Sequence, residues 1–266
     1  MELIHVRASS LPDLCDCPAR WEAKHIKRIP RLPRSTAAQL GTAVHAGTAL
    51  FDQKHLEGDD ITIDDAAGIV VDTIHHPEED VDWGEDKPND VEKIALALHG
   101  LYCREIAPQE NYVHVEATCE GLEIADLGLV LTGTTDRIVE DPYGGLGIAD
   151  IKTGKSAVAA DGTVRTAGHA AQVAVYELLA GASIGRPITA PAQIIGLQVA
   201  KTDRGRRAGI GTITGAMDML VGTEDDPGLL QIVSELLHAG RFYGNPKSQS
   251  CGAKYCPIYN TCKWRR

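Results

Sequence analysis

The chain has 266 residues, 43% of them hydrophobic and 24% charged, enough for one sizeable α/β domain with an embellishment. No apolar run approaches the ~20 residues that span a bilayer, and the opening MELIHVRASSL lacks the basic start and apolar centre of a secretory signal, so membrane and secreted classes are set aside and a cytoplasmic protein is expected. A formal net charge of -11 opposes a nucleic-acid partner unless charge is segregated, and it is: acid concentrates from Asp52 to Asp90, while Arg20, Lys24, Lys27, Arg28, Arg31 and Arg34 crowd the N-terminal arm against Glu22.

Residues 8–21 read as a short helix opened by Ser9 and Ser10 and carrying Cys15 and Cys17. KHIKRIPRLPR, broken by Pro30 and Pro33, reads as an extended arm. From Thr36 to His55, Leu40, Ala43, Val44, Gly47 and Leu50 recur at helical spacing, and the small neighbours of His45 let this helix approach another element closely. Helices over 63–76 and 89–106, joined by the acidic HPEEDVDWGEDKPND, read as a helical insertion in which Cys103 is a packed core thiol.

A sheet then begins. In Tyr112 to Cys119, Val113, Val115 and Ala117 alternate with His114, Glu116 and Thr118. Strands over 122–131, 133–139 and 146–152 continue it as a meander, the last two joined through the turn DPYGG. Alternation puts Asp150 and Lys152 on one face and Ile151 on the other, and hairpin pairing brings Asp136 up beside them. Alone, so short a motif reads first as a weak ion pair on a solvent-facing strand edge. Two carboxylates and an ammonium between apolar runs, however, are costly to bury unless a partner such as a divalent cation pairs them. A helix over 166–182 carries Gln172 and Tyr176 four apart, on one face above the hairpin.

A buried strand over 192–200, the basic turn KTDRGRRAG and a helix over 228–240 lead to the C-terminal CGAKYCPIYNTCKWRR. There Cys251, Cys256 and Cys262 offer three thiolates on a short loop, so a four-ligand site needs one more. Cys15 and Cys17 are the nearest competitors, since Cys119 falls on a strand and Cys103 in an apolar helix. Four thiolates suit either an iron-sulfur cluster or a structural Zn²⁺.

Taken in order, His45 in GTAVHAG, Glu116 in VHVEATC, Asp136, the triplet Asp150, Ile151 and Lys152, and Gln172 with Tyr176 in QVAVY resemble the PD-(D/E)XK nuclease superfamily. The likeness is to its RecB-type branch, which includes CRISPR-associated adaptation exonucleases and viral recombination exonucleases. It extends from Cys17 to Cys262. It implies a restriction-endonuclease-like α/β core, a mixed sheet flanked by helices, within one nuclease domain over 1–266. Its parts are an N-terminal arm over 1–35, the helical insertion over 59–108, the catalytic core over 111–213 and a cluster-binding tail over 245–266.

The resemblance further implies Mg²⁺ or Mn²⁺ on Asp136, Asp150 and the Ile151 carbonyl. His45 is implied as a ligand that biases the site toward Mn²⁺. Glu116 is implied as a ligand or water-orienting group, Lys152 as a charge stabiliser or proton acceptor, and Gln172 and Tyr176 as orienting groups. Cys17, followed by Pro18, matches the lone N-terminal ligand of a 4Fe-4S cluster completed by Cys251, Cys256 and Cys262. The implied activity is a metal-dependent DNA exonuclease acting on ends or single strands in recombination, repair or processing. A recombination or adaptation protein is an implied partner, and the host cytoplasm the compartment if the chain is viral. Charge segregation places the DNA along Arg28, Arg31 and Arg34, with Lys201, Arg204, Arg206 and Arg207 as the alternative surface. The contrary reading is a nucleic-acid-binding or scaffold protein that keeps the fold without cleavage. Retention of both carboxylates and the lysine favours cleavage.

Overall fold

The computed structural model describes residues 3–265, Glu120 through its backbone alone. Strand β1 (Ile4–Arg7) leads to helices α1 (Leu11–Asp16) and α2 (Pro18–His25). The short β2 (Arg34–Ser35) opens the long α3 (Thr36–Leu56). Next come α4 (Ile63–His75), β3 (Val81–Asp82) and α5 (Pro88–Glu105). Three long strands follow, β4 (Tyr112–Ile124), β5 (Leu129–Glu140) and β6 (Leu146–Gly154). The chain continues through α6 (Ala170–Ile184), β7 (Ala192–Gln198), β8 (Ala208–Ile213), α7 (Ala216–Val221) and α8 (Leu229–Ala239).

The expected mixed sheet between helices is present, and it is more than a meander. Its order is β1-β5-β6-β7-β8, with β4 on the other edge of β5; β1 runs parallel to β5 and β6 parallel to β7. Both faces are covered, which the sequence of β6 dictates. Ile148 enters one apolar layer with Val173, Leu179 and Leu131, whereas Ala149 and Ile151 enter the other with Val44, Val70 and Leu98. The helices over 59–108 therefore form, with α3, the layer that closes one face of the sheet. Cys103 lies buried within it, its thiol pushed up to about 12 by burial.

Local signals set the boundaries. The Ser35 hydroxyl accepts from the Ala38 amide at the start of α3, and Thr62 and Asp65 form a reciprocal capping box on α4. The strand break expected near Leu131 falls instead at Ala125–Leu127, where Gly128 takes φ 60 and closes the turn, so β5 runs unbroken through Gly133. The single helix expected over 8–21 is broken at Cys17 (φ -149), because Pro18 disfavours helical geometry in the residue before it. Strands β1 and β8 escaped the sequence reading; Ile4–Arg7 is too short to show a period, and β8 follows directly on the basic turn.

One irregularity of the sheet positions the site. Strands β5 and β6 pair from Glu140 with Leu146 only as far as Arg137 with Ala149. Beyond that point β6 continues against β7, and the same edge of β5 is taken up by β1 at Leu129–Thr132. The two strands fork, leaving Gly133–Asp136 and Asp150–Lys152 facing across a gap.

Candidate active site

Asp136 stands at the mouth of the fork. Its Oδ2 accepts the Ile151 amide at 2.8 Å, replacing the ladder bond that the divergence removes. His45 comes down from α3 onto the same place: its Nε2 is 2.8 Å from the Ile151 carbonyl and its Nδ1 3.4 Å from Asp136 Oδ2. The close descent needs small residues, since a Cβ on Gly41, one turn before His45, would lie 3.0 Å from Thr153 Oγ1 on β6.

Glu116 reaches the fork from β4 in a conformation that a non-glycine residue avoids, with φ 48. The predicted alternation runs through it: His114, Glu116 and Thr118 are all exposed. Ligand atoms of His45, Glu116 and Asp136 all lie within 4.8 Å of one another, so these three can share one cation, their nitrogen and oxygen donors suiting Mn²⁺ or Mg²⁺. Strained backbone costs roughly 1–3 kcal/mol. Glu116→Gly is therefore expected to hold or raise the melting temperature while lowering metal affinity, and Glu116→Val to lower the melting temperature, both read by thermal denaturation and Mn²⁺ titration.

Asp150 lies on the α6 side of the sheet, outside that group of three. It is 1% exposed, and its Oδ2 sits 2.6 Å from Lys152 Nζ but in line with no hydrogen-bond donor. Burial, and then the Asp136 charge, push its carboxyl up to about 6 against the pull of Lys152. A buried carboxylate beside a second acid, with one lysine between them and solvent, is what a cation would relieve. Lys152 also donates to Gln172 Oε1 at 3.1 Å, and Gln172 Nε2 donates to Tyr176 OH at 3.0 Å. The ring of Tyr176 can approach because Gly133 has no side chain; a Cβ there would be 3.0 Å from it.

The sequence profile of the PD-(D/E)XK nuclease superfamily matches residues 5–263. The chain belongs to that superfamily. Its sheet and flanking helices are accordingly a restriction-endonuclease-like core, and the fork is where this nuclease keeps its D-x-K carboxylate and lysine. Among solved structures it resembles the crystal structure of a "Putative exonuclease" from Eubacterium rectale, at 13% identity and a TM-score of 0.55, over 93% of this chain and 86% of that one. A second structure, SSO0001, overlaps 99% of this chain and 87% of its own at 14% identity, with a TM-score of 0.44. No curated protein sequence matches the nuclease.

The sequence reading missed the support beneath these groups. Arg137, next to Asp136 and fully buried, donates from Nε to Asp52 Oδ2 at 2.7 Å and from NH1 to the Asp136 carbonyl at 2.7 Å. The same NH1 lies 3.5 Å from Glu116 Oε1. Asp52 also accepts from Tyr102 at 2.5 Å. Burial raises the Asp52 carboxyl while Arg137 and Tyr102 oppose it. The available signal was Asp52 itself, an acid two helical turns beyond His45 on the same face of α3.

The arginines expected to form a separate DNA surface are not segregated from the acidic linker. Arg34 pairs with Glu79 at 2.9 Å and Arg31 with the same carboxylate at 3.8 Å, because β2 lies against β3. Arg28 is exposed with φ 51. On the alternative surface, Arg206 is bound to Asp203 and to the Ala200 carbonyl, and Arg207 donates to the Val158 carbonyl at 3.0 Å.

The four cysteines singled out by resemblance, Cys17, Cys251, Cys256 and Cys262, line one small cavity between the start of α2 and the C-terminal tail. The Asn245 amide donates to Cys17 Sγ at 3.4 Å, and Asn245 and Ser248 both bond Asp16. Burial first, and then the neighbouring Cys17 and Cys262 sulfurs, raise the Cys256 thiol.

Proposed function

We propose that this nuclease is a metal-dependent DNA exonuclease acting on ends or single strands, in recombination, repair or DNA processing, with a recombination or adaptation protein as partner. The observation that carries the reading is the fork, where His45, Glu116 and Asp136 converge within 4.8 Å beside a lysine held by Asp150 and Gln172. When bound by His45, Asp136 and Glu116, with Asp150 and the Ile151 carbonyl alongside, Mg²⁺ or Mn²⁺ supplies charge neutralisation on the phosphate and a more acidic water.

The protein's own groups do the rest. Lys152 presents its ammonium to the scissile phosphate and the attacking water, stabilising charge or accepting a proton. Asp150 and Gln172 fix the direction of that ammonium, and Tyr176 fixes Gln172. The buried Asp150 carboxylate, 2.6 Å away, pairs with that ammonium. Arg28, Arg31 and Arg34 remain the proposed backbone contacts, with Arg31 and Arg34 exchanging Glu79 for phosphates. The test is release of label from single-stranded and duplex DNA, marked at either end, with Mg²⁺, Mn²⁺ or EDTA. Metal-dependent shortening from an end supports the proposal, and DNA left intact under every condition removes it.

The second cofactor we assign is a 4Fe-4S cluster on Cys17, Cys251, Cys256 and Cys262. Four thiols around one cavity suit iron or zinc alike, and the family resemblance selects iron. Anaerobically purified protein is expected to be brown, with iron and acid-labile sulfide in similar amounts. Cys17→Ser should lose colour and melt lower; Cys15→Ser, on the exposed side of α1, should keep both. A colourless protein carrying one equivalent of zinc would replace the cluster by a structural ion.

A further inference from the structure

Between α2, the arm and the C-terminal tail runs an open groove of about 320 Å³, lined by Asp13, Lys24, His25, Arg31, Lys254 and Tyr255 among others. Asp13 has both oxygens occupied, Oδ1 by Arg20 at 2.7 Å and Oδ2 by Lys24 at 2.9 Å. The remaining charge is positive. The Arg31 side chain is 72% exposed and meets Glu79 only at 3.8 Å, and Lys254 is exposed. His25 feels this field: burial first, then Lys24 and Arg31, hold its imidazole below the usual range.

Among these cations stands an aromatic ring. Tyr255 is 52% exposed on a tight turn whose amide bonds the Gly252 carbonyl at 3.0 Å. Cations that track phosphates, set beside a ring that stacks on a base, are how proteins hold an unpaired strand. A duplex keeps its bases stacked inside and offers the ring nothing.

Both walls of the groove continue along the chain into elements that border the fork. Ser9 and Ser10 on its wall follow β1, whose Arg7 is in register with Thr132 just before Gly133. Ser35, at its other wall, caps α3, which carries His45 ten residues on, about 15 Å along the helix axis. We propose that this groove is the path of single-stranded DNA to or from the fork, with Tyr255 stacked on a base and Lys254 and Arg31 on phosphates. The proposal rests on the nuclease reading for what lies at the end of the path. Because Lys254 and Tyr255 fall between Cys251 and Cys256, one loop carries both the thiolates and the strand contacts.

The test is binding of fluorescein-labelled oligo-dT to the full chain, followed by anisotropy in EDTA so that no cleavage intervenes. Tyr255→Ala is expected to weaken binding about five- to hundredfold and Tyr255→Phe to restore it. Lys254→Gln is expected to reduce the slope of log affinity against log salt by about 0.7. Lys93→Gln, on α5, is the unaffected control, and melting curves confirm that each variant is folded. Wild-type affinity and slope in both Tyr255→Ala and Lys254→Gln overturn the groove, as does duplex binding that exceeds oligo-dT binding and ignores Tyr255. Cleavage in Mg²⁺ separates the two ideas. Tyr255-dependent binding without cleavage removes the nuclease reading alone; cleavage with binding indifferent to both variants removes the groove alone.

Discussion

Lys152→Ala is expected to lower metal-dependent DNA cleavage by about 10²- to 10³-fold, the range found when a preorganised charge is taken from a reacting centre. Lys152 is partly exposed at the fork and buries no apolar layer, so the melting temperature should change little. Asp136→Ala should cost at least as much activity, because it removes a proposed cation ligand and also the acceptor of the Ile151 amide. Asp150 separates function from stability. Its carboxylate is buried beside Asp136 and 2.6 Å from Lys152, so Asp150→Asn, which relieves the one charge and gives up the pair with the other, should leave the melting temperature of the metal-free protein nearly unchanged while abolishing cleavage. Turnover of Lys152→Ala at the wild-type rate in initial-velocity assays would remove the lysine from the mechanism.

The second large effect is structural. Removing one partner of a buried ion pair strands the other charge, at about 3–5 kcal/mol. Arg137→Met is therefore expected to unfold at markedly lower denaturant, and Asp52→Leu similarly. The double variant should recover much of the loss, since it leaves no charge behind; chemical denaturation of the four proteins closes the cycle. Activity should not recover with stability. Arg137 holds the Asp136 carbonyl and lies 3.5 Å from Glu116, so the stable double variant is expected to bind Mn²⁺ more weakly. Equal Mn²⁺ affinity in wild type and double variant would reduce the network to packing.

Much of this was legible because strand periodicity is exact. Asp150, Ile151 and Lys152 could be assigned to opposite faces from alternation alone, and Gln172 with Tyr176 to one helix face from their interval. Cys17, Cys251, Cys256 and Cys262, grouped by resemblance, do line one cavity. What stayed hidden depends on pairings far apart in the chain. Nothing local in LGIADIKTG states that pairing with β5 ends at Ala149, and nothing in VHVEATC states that Glu116 turns to positive φ. The charge segregation misled for the same reason: Glu79 and Arg34 are 45 residues apart in sequence and touching in space. Arg137 was passed over because a strand residue next to an acid reads as a surface charge until the helix opposite is known.

The fork also bears on how the protein comes into being. His45 and Ile151, 106 residues apart, meet across it, and Asn245 reaches Cys17 over 228. Contacts of such sequence separation form slowly, after the intervening chain has collapsed. A chain leaving the ribosome has displayed both Asp136 and Asp150 before Gln172 exists to hold Lys152, and long before the tail can meet Cys17. Incomplete products ending ahead of Gln172 would carry both acids without the partner that holds Lys152, so the proposed cleavage site is assembled only once α6 has been made.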